Sequence, residues 1–513
     1  MFAQVATVAF AGIEAKRVDV QVQISPGLPA FVVVGLPDKA VGESRERVRA
    51  ALHAVGLALP AKHITVNLAP ADMPKEGSHY DLPIVLAMMA CMGAMPFDQL
   101  KGYCVIGELA LDGAISMVPG GLPAAIGANE QGLGLICPRE CGAEAAWASQ
   151  DMDILAPGHL LELINHFKGL QVLSSPQAVL EETPSDMLDL CDVRGQESAR
   201  RALEVAAAGG HNLLMTGPPG SGKSMLAARL PSILPALQPA EMLEVSMIRS
   251  MAGELAGGQI GRERPFRAPH HSASMAALVG GGARPKPGEV ALAHMGVLFL
   301  DELPEFSVQV LDSLRQPIET GEVVIARANH RIAYPSRIQL VAAMNPCKCG
   351  RAFEPGFACA KGAHCAERYQ SRISGPLLDR FDLQVEVPAV STADLMMPDK
   401  NASCESSHPV RERVSAARNR QAERFQSMGL DKLRTNSELF GEALDDCTRP
   451  DKEGLRLLRD ACDKLRLTAR GYHRTLKVAR TLADLDGCDA VARIHIAEAL
   501  SYRGETLRQK VLA

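Results

Sequence analysis

Residues 211–224 read HNLLMTGPPGSGKS, and the rest of the chain is arranged around them. Leu213, Leu214 and Met215 form a short apolar run, the pattern of a buried strand. The chain then passes through Gly217, Pro218, Pro219, Gly220, Ser221, Gly222, Lys223 and Ser224, which fill every fixed position of G-x-x-x-x-G-K-[ST]. Glycines there let the backbone curl until its N–H groups face phosphate oxygens. Lys223 sets positive charge against the β- and γ-phosphates, and Ser224 offers a hydroxyl to Mg²⁺. Residues 225–230 continue as a helix whose amino end faces the same phosphates. ATP and Mg²⁺ are the expected ligands.

The second half of such a site lies downstream. Residues 297–300 are an apolar strand ending in Asp301 and Glu302. An acid at the strand tip, Asp301, can hold the hydrated Mg²⁺ with Ser224, and Glu302 can orient and polarise the attacking water. Residues 340–344 form the next buried strand, which ends in Asn345. An amide between Asp301 and the γ-phosphate would sense hydrolysis.

The length of 513 residues implies about three domains. Hydrophobic residues make up 47%, enough for several cores and too many for a disordered chain. The net charge of −5 excludes an overall polycation. The charge is uneven, because from Arg411 onward 21 Lys and Arg stand against 16 Asp and Glu. A basic C-terminal part permits nucleic-acid contact. The first residues lack the basic start of a signal peptide. The apolar run 82–97 is shorter than the ~20 residues of a spanning helix and contains Pro83 and Gly93, so it reads as a buried core helix. Thirteen cysteines without an export signal point to reduced thiols or metal ligands. A cytoplasmic protein with no membrane partner is expected.

In chain order, residues 1–170 alternate strand-like runs (18–24, 31–34, 63–68, 105–111, 132–136) with helical ones (44–55, 81–89, 122–131), a mixed α/β domain. Residues 171–190 are a Ser-, Pro- and acid-rich linker, 191–388 hold the phosphate loop, 389–409 are a polar linker, and 410–513 read as helical nearly throughout. Helices are expected over 198–208, 238–249 and 306–319. Thr468 is a candidate N-cap. The insert 252–282 carries Arg262, Arg264, Arg267, His270 and His271. Adjacent histidines on an extended chain point to opposite sides, so a loop presenting basic groups is expected there rather than a metal site. Residues 322–326 and 331–334 form a hairpin whose tip offers Arg327, His330 and Arg331 as candidate DNA contacts. The alternative is a solvated turn that protects a sheet edge. Cys347, Cys349, Cys359 and Cys365 follow. Four thiolates in one loop fit tetrahedral zinc, although C-x-C is tighter than the usual spacing. Free cysteines are the other reading, with His364 an alternative to Cys365.

Two resemblances extend these readings. PKEG at 74–77, GELAL at 107–111, PGGL at 119–122 and the strand ending at Cys137 and Pro138 resemble the Lon-type proteolytic domain, with its ribosomal-protein-S5-like fold. The resemblance puts His79 where that family has its serine and Ala125 where it has its lysine. A peptidase is therefore not expected; Ser78 and Lys75, out of register, are the remaining pair. The strings RPFRAPHHSAS from Arg264, PGEVALAH, GVLFLDELPEF, LVAAMNPCKCG, SGPLLDRFDLQVEVP and TARGYHRTLKVARTLADL closely resemble the magnesium-chelatase-like AAA+ ATPases. With the Lon-like domain in front, the whole chain resembles the YifB/ComM family.

That resemblance implies an AAA+ P-loop core with a central parallel sheet, a C-terminal helical lid and a homo-oligomeric ring, a hexamer. It implies ATP-driven branch migration of single-stranded and branched DNA, with recombination proteins, in natural transformation. Arg380 would reach the neighbouring subunit's γ-phosphate. Arg470 would be the sensor-2 arginine, with Arg474 the other candidate, and the hairpin around Arg327 would line the pore. Lys348, where many relatives have Pro, leaves zinc open. The competing functions are a Lon-like protein-remodelling ATPase and a magnesium chelatase motor subunit.

Overall fold

Leu213 and Met215 face one apolar cluster and Leu214 faces another, so the strand Leu213–Thr216 is buried on both sides. That is how a parallel sheet covered by helices on both faces is built. The computed structural model describes residues 1–181, 188–282, 286–326, 331–350, 363–389, 405–465 and 467–503. Its central sheet has five parallel strands in the order Phe266–Arg267, Val297–Leu300, Gln339–Met344, Leu213–Thr216, Leu383–Glu386. Thr216 stands opposite Met344 and Glu386, so the phosphate loop and Asn345 leave the same carboxyl edge of the sheet.

One face is covered by the helices Glu197–Gly209 and Lys223–Ile233 and by the C-terminal helices. The latter are Ser407–Ser427, Gly441–Cys447, Lys452–Leu465, Ala469–Leu485 and Arg493–Ser501. Val410, Val414, Ala417 and Phe425 form a stripe at helical spacing that joins Leu203, Met215 and Leu476 in one core. Thr468 caps its helix by accepting from the Gly471 N–H at 3.1 Å. The other face packs Leu303, Phe306, Val310 and Tyr334.

Residues 1–170 build a separate seven-stranded sheet in the order Ala30–Val34, His63–Ala69, Glu14–Ser25, Phe2–Ala11, Tyr103–Val105, Gly134–Ile136, Ile154–Leu155. The helix Asp81–Cys91 is buried on nearly every side beneath it. Among the described residues this unit meets the phosphate-loop unit in several places, of which two stand out. Leu122 and Trp147 pack with Met242, Val245, Ile260 and Met295. The turn at Gly12 rests on the hairpin, where a Cβ would lie 2.2 Å from the Ala333 carbonyl oxygen.

Three sequence readings need correction. The expected strand 105–111 is split, because Gly107 passes so close to Leu82 that a Cβ would lie 2.9 Å from its side chain. Beyond that bend, Glu108–Leu109 pairs with Ile115–Ser116 instead of joining the sheet. The helix over 306–319 is two helices, Val308–Ser313 and Arg315–Thr320, with Pro317 in the first turn of the second, where its missing N–H is tolerated. Within the expected linker 171–190, the Glu181 N–H donates to Ile260 O at 2.9 Å. Finally, His270 and His271 do not diverge. A turn closed by Ala273 N–H to His270 O brings their rings to 4.0 Å.

Candidate functional site

The observed curl of the phosphate loop depends on its glycines. A Cβ on Gly217 would sit 2.1 Å from Val387 O and 2.9 Å from Ser221 Oγ. Gly220 (φ +75°) and Gly222 (φ +89°) lie in the left-handed region that glycine tolerates. Gly222 precedes the helix Lys223–Ile233, whose amino end opens on the loop. The buried Lys223 ammonium donates to Gly217 O at 2.9 Å and Pro218 O at 2.8 Å. It also approaches Ser221 Oγ at 3.3 Å and Asn345 Oδ1 at 3.4 Å. Burial lowers its pKa, against the pull of Asp301 and Glu302.

Ser224 Oγ donates to Asp301 Oδ2 at 2.7 Å, so the hydroxyl and carboxylate that would share Mg²⁺ are already together. Glu302 has φ 52°, and its N–H donates to Asp301 Oδ1 at 2.9 Å. This left-handed turn sends the two acids in different directions, and the Glu302 side chain stays half exposed. His271 Nδ1 lies 3.7 Å from Glu302 Oε2. Sequence reasoning missed this neighbour, because the strand that delivers it, Phe266–Arg267, is two residues long and leaves no periodicity.

The arginines lie elsewhere. Arg380 precedes the strand Leu383–Glu386, at the amino edge of the sheet, while the phosphate loop leaves the carboxyl edge. Four strand residues separate the two, about 13 Å. Arg380 Nη2 donates to Glu319 at 2.6 Å. Arg380, Arg470, Arg474 and Lys477 line a cleft of about 780 Å³ between this edge and the C-terminal helices. Arg470 is exposed, whereas Arg474 is held 3.4 Å from Asp382. Burial opposes ionisation of Asp382, but His211, Arg474 and Lys477 outweigh it and hold the carboxyl at about 2. Burial pushes the Arg418 guanidinium down to about 9, with Arg264 adding to the effect.

The sulfurs of Cys347, Cys349 and Cys365 lie within 4.8 Å of one another, with Cys347 and Cys349 3.0 Å apart. Cys365, not His364, joins them; the His364 ring faces Glu367 at 3.6 Å and is 94% exposed. Cys359 lies outside the described residues, as do Arg327 and His330. Arg331 is exposed at the start of the hairpin's second strand.

In the N-terminal unit His79 is buried, its Nε2 2.9 Å from Val8 O, and burial drops its pKa to about 4. Ala125 is fully buried. Ser78 donates to Glu108, and Lys75 donates to the carbonyls of Pro70 and Met73. The Ser78 and Lys75 side chains thus serve different partners.

Three family descriptions match the chain. "Magnesium chelatase, subunit ChlI" covers residues 189–395, "Subunit ChlI of Mg-chelatase" covers 20–141, and "Magnesium chelatase, subunit ChlI C-terminal" covers 404–503. The competence protein ComM of Haemophilus influenzae is 44% identical over 498 residues, 96% of this chain and 95% of that one. This chain belongs to the magnesium-chelatase-like AAA+ family, in its YifB/ComM branch. YifB of Salmonella typhimurium is also 44% identical, over 97% of this chain and 96% of its own. The magnesium-chelatase 38 kDa subunit of Rhodobacter capsulatus is 26% identical over 60% of this chain. Among the described residues no helix is long and apolar enough to cross a membrane.

Proposed function

We propose that this YifB/ComM-family chain is a cytoplasmic, ring-forming ATPase that drives branch migration of DNA during recombination in natural transformation. The observation that carries the reading is the division of the site. Lys223, Ser224, Asp301, Glu302 and Asn345 stand at one edge of the sheet, and Arg380 and Arg470 at the other. A chain built this way completes a nucleotide site only with a neighbour's arginines, as a closed homo-oligomer supplies. ATP brings the phosphoryl group and Mg²⁺ the charge that neutralises it. Ser224 and Asp301 hold the cation, Lys223 binds the phosphates, and Glu302 orients the water. The C-terminal helices act as the lid. Residues 1–170 are a Lon-like domain without peptidase chemistry, in keeping with the separate partners of Ser78 and Lys75.

DNA is the proposed partner because the relative named for competence aligns with 96% of this chain. The hairpin carrying Arg327, His330 and Arg331 is its proposed contact. The three clustered thiols are read as a structural zinc site. The magnesium chelatase reading is weaker, since the 38 kDa subunit aligns with 60% of this chain. The deciding experiment is ATPase rate alone and with single-stranded, duplex or four-way-junction DNA. Stimulation by the junction is expected. Indifference to every DNA, with stimulation by an unfolded protein, would replace this reading with protein remodelling.

A further inference from the structure

The phosphate loop is touched from outside by the loop that carries the thiols. Within six residues of that loop, one end meets Lys223 and the other meets Pro219. Asn345 Oδ1 lies 3.4 Å from the Lys223 ammonium. Gly350, with φ +79°, packs so closely on the phosphate loop that a Cβ there would lie 2.4 Å from Pro219 Cδ. Between them, Cys347 and Gly350 close a turn, Gly350 N–H to Cys347 O at 3.0 Å. The third thiol, Cys365, stands on the helix Ala363–Gln370, whose buried Gln370 donates to Pro346 O at 2.9 Å.

We propose that Cys347, Cys349 and Cys365 bind one soft divalent cation, Zn²⁺, and that this ion clamps the phosphate loop in its nucleotide-binding shape. The inference rests on the nucleotide-site reading above and adds a means of regulating it. The sulfur spacing supports it. At 3.0 Å, Cys347 and Cys349 are beyond the ~2.05 Å of a disulfide bond. Ligands of one zinc tetrahedron, each ~2.3 Å from the metal, stand about 3.8 Å apart, and the three sulfurs here need only small shifts to meet that spacing. Binding replaces three S–H bonds with three metal–sulfur bonds and releases three protons to solvent, with no change of oxidation state. The ion would tie the turn at 347–350 to the helix Ala363–Gln370, and the turn in turn fixes Pro219. Without it, nucleotide binding must order these residues itself, a penalty on the order of tenfold in affinity.

The test uses the full chain purified without chelators. Zinc content is measured by mass spectrometry, and affinity for a fluorescent ATP analogue is measured in excess Mg²⁺. The expected results are about one zinc per chain, a nucleotide Kd raised on the order of tenfold after zinc-selective chelation, and recovery when Zn²⁺ alone is returned. Cobalt substitution should give thiolate-to-metal charge-transfer absorption that Cys349→Ser and Cys365→Ser lose. Gly350→Ala keeps every thiol but drives a methyl group into Pro219, so it should retain zinc and still bind nucleotide more weakly. Chelation and metal return on the parent chain do not depend on any variant folding. A protein with no zinc, and with no cobalt spectrum on reconstitution, overturns the metal site. Zinc that leaves without changing nucleotide affinity overturns the clamp but not the metal site. A zinc-loaded chain that binds no nucleotide overturns the ATPase reading and the clamp with it.

Discussion

Replacing Glu319 with Gln should speed ATP hydrolysis, while replacing its partner, Arg380→Ala, should nearly abolish it. In the isolated chain the Arg380 guanidinium, 11% exposed, donates at 2.6 Å to Glu319, which is 61% exposed. To stabilise a neighbour's transferring phosphoryl group, the arginine must first leave that carboxylate. A pair with one solvated partner is worth roughly 0.5–1 kcal/mol, and that energy opposes engagement. Glu319→Gln removes the opposition and should raise the rate by about 2–5-fold at protein concentrations where ring engagement limits turnover. Arg380→Ala should cost ~10³-fold or more, the usual contribution of such an arginine. The assay is steady-state ATPase across a protein dilution series, with ring assembly monitored by light scattering. Mixing Arg380→Ala with Lys223→Ala chains should restore activity at interfaces that join an intact arginine to an intact loop. Arg380→Ala rings that hydrolyse ATP at nearly the parental rate, or mixtures that stay inactive despite proven subunit exchange, would refute the shared site.

Glu302→Gln should retain nucleotide affinity and lose turnover, whereas Lys223→Ala should lose affinity; equilibrium binding alongside rate measurement separates the two. Arg327→Ala with Arg331→Ala should weaken DNA binding and flatten its salt dependence by about one to two ions, read from affinity at several salt concentrations. His79 is held neutral by burial, with a pKa of about 4 against 6.5 for a free histidine. Between those values the unfolded chain gains a proton that the folded chain refuses, so stability falls as pH falls through this window, by about 3 kcal/mol at its acid end. Urea midpoints from pH 7 to 4 should show this slope, and His79→Gln should flatten it.

The central strands were legible because each carries a strong local signal. Leu213–Thr216 and Val297–Leu300 are continuous apolar runs bounded by glycine or acid, and their buried pattern follows directly. The edge strand Phe266–Arg267 was not legible, since two residues gain strand geometry only from the neighbour they pair with. The pairing of His271 with Glu302 was hidden for the same reason. The meeting of Cys365 with Cys347 and Cys349 could be raised from spacing, but choosing it over His364 required the direction of the helix Ala363–Gln370. The placement of Arg470 in the same cleft as Arg380 depends on how the C-terminal helices cross the sheet, which no local pattern encodes.

The seating of Gly12 against Ala333 bears on how far the chain can be taken apart. A module that only rides on its neighbour survives being cut away or exchanged. Here the N-terminal unit's first turn is fitted to a carbonyl of the hairpin, with Ile13 in the adjoining apolar cluster. Cutting after residue 170 would bare Leu237, Met242, Val245, Ile260 and Met295 to water, a patch prone to self-association. Any travel of the hairpin must move the N-terminal unit or slide beneath it. Homologous N-terminal units should therefore exchange only together with their hairpins, and a side chain at position 12 should be tolerated only where the backbone at 333 has moved away.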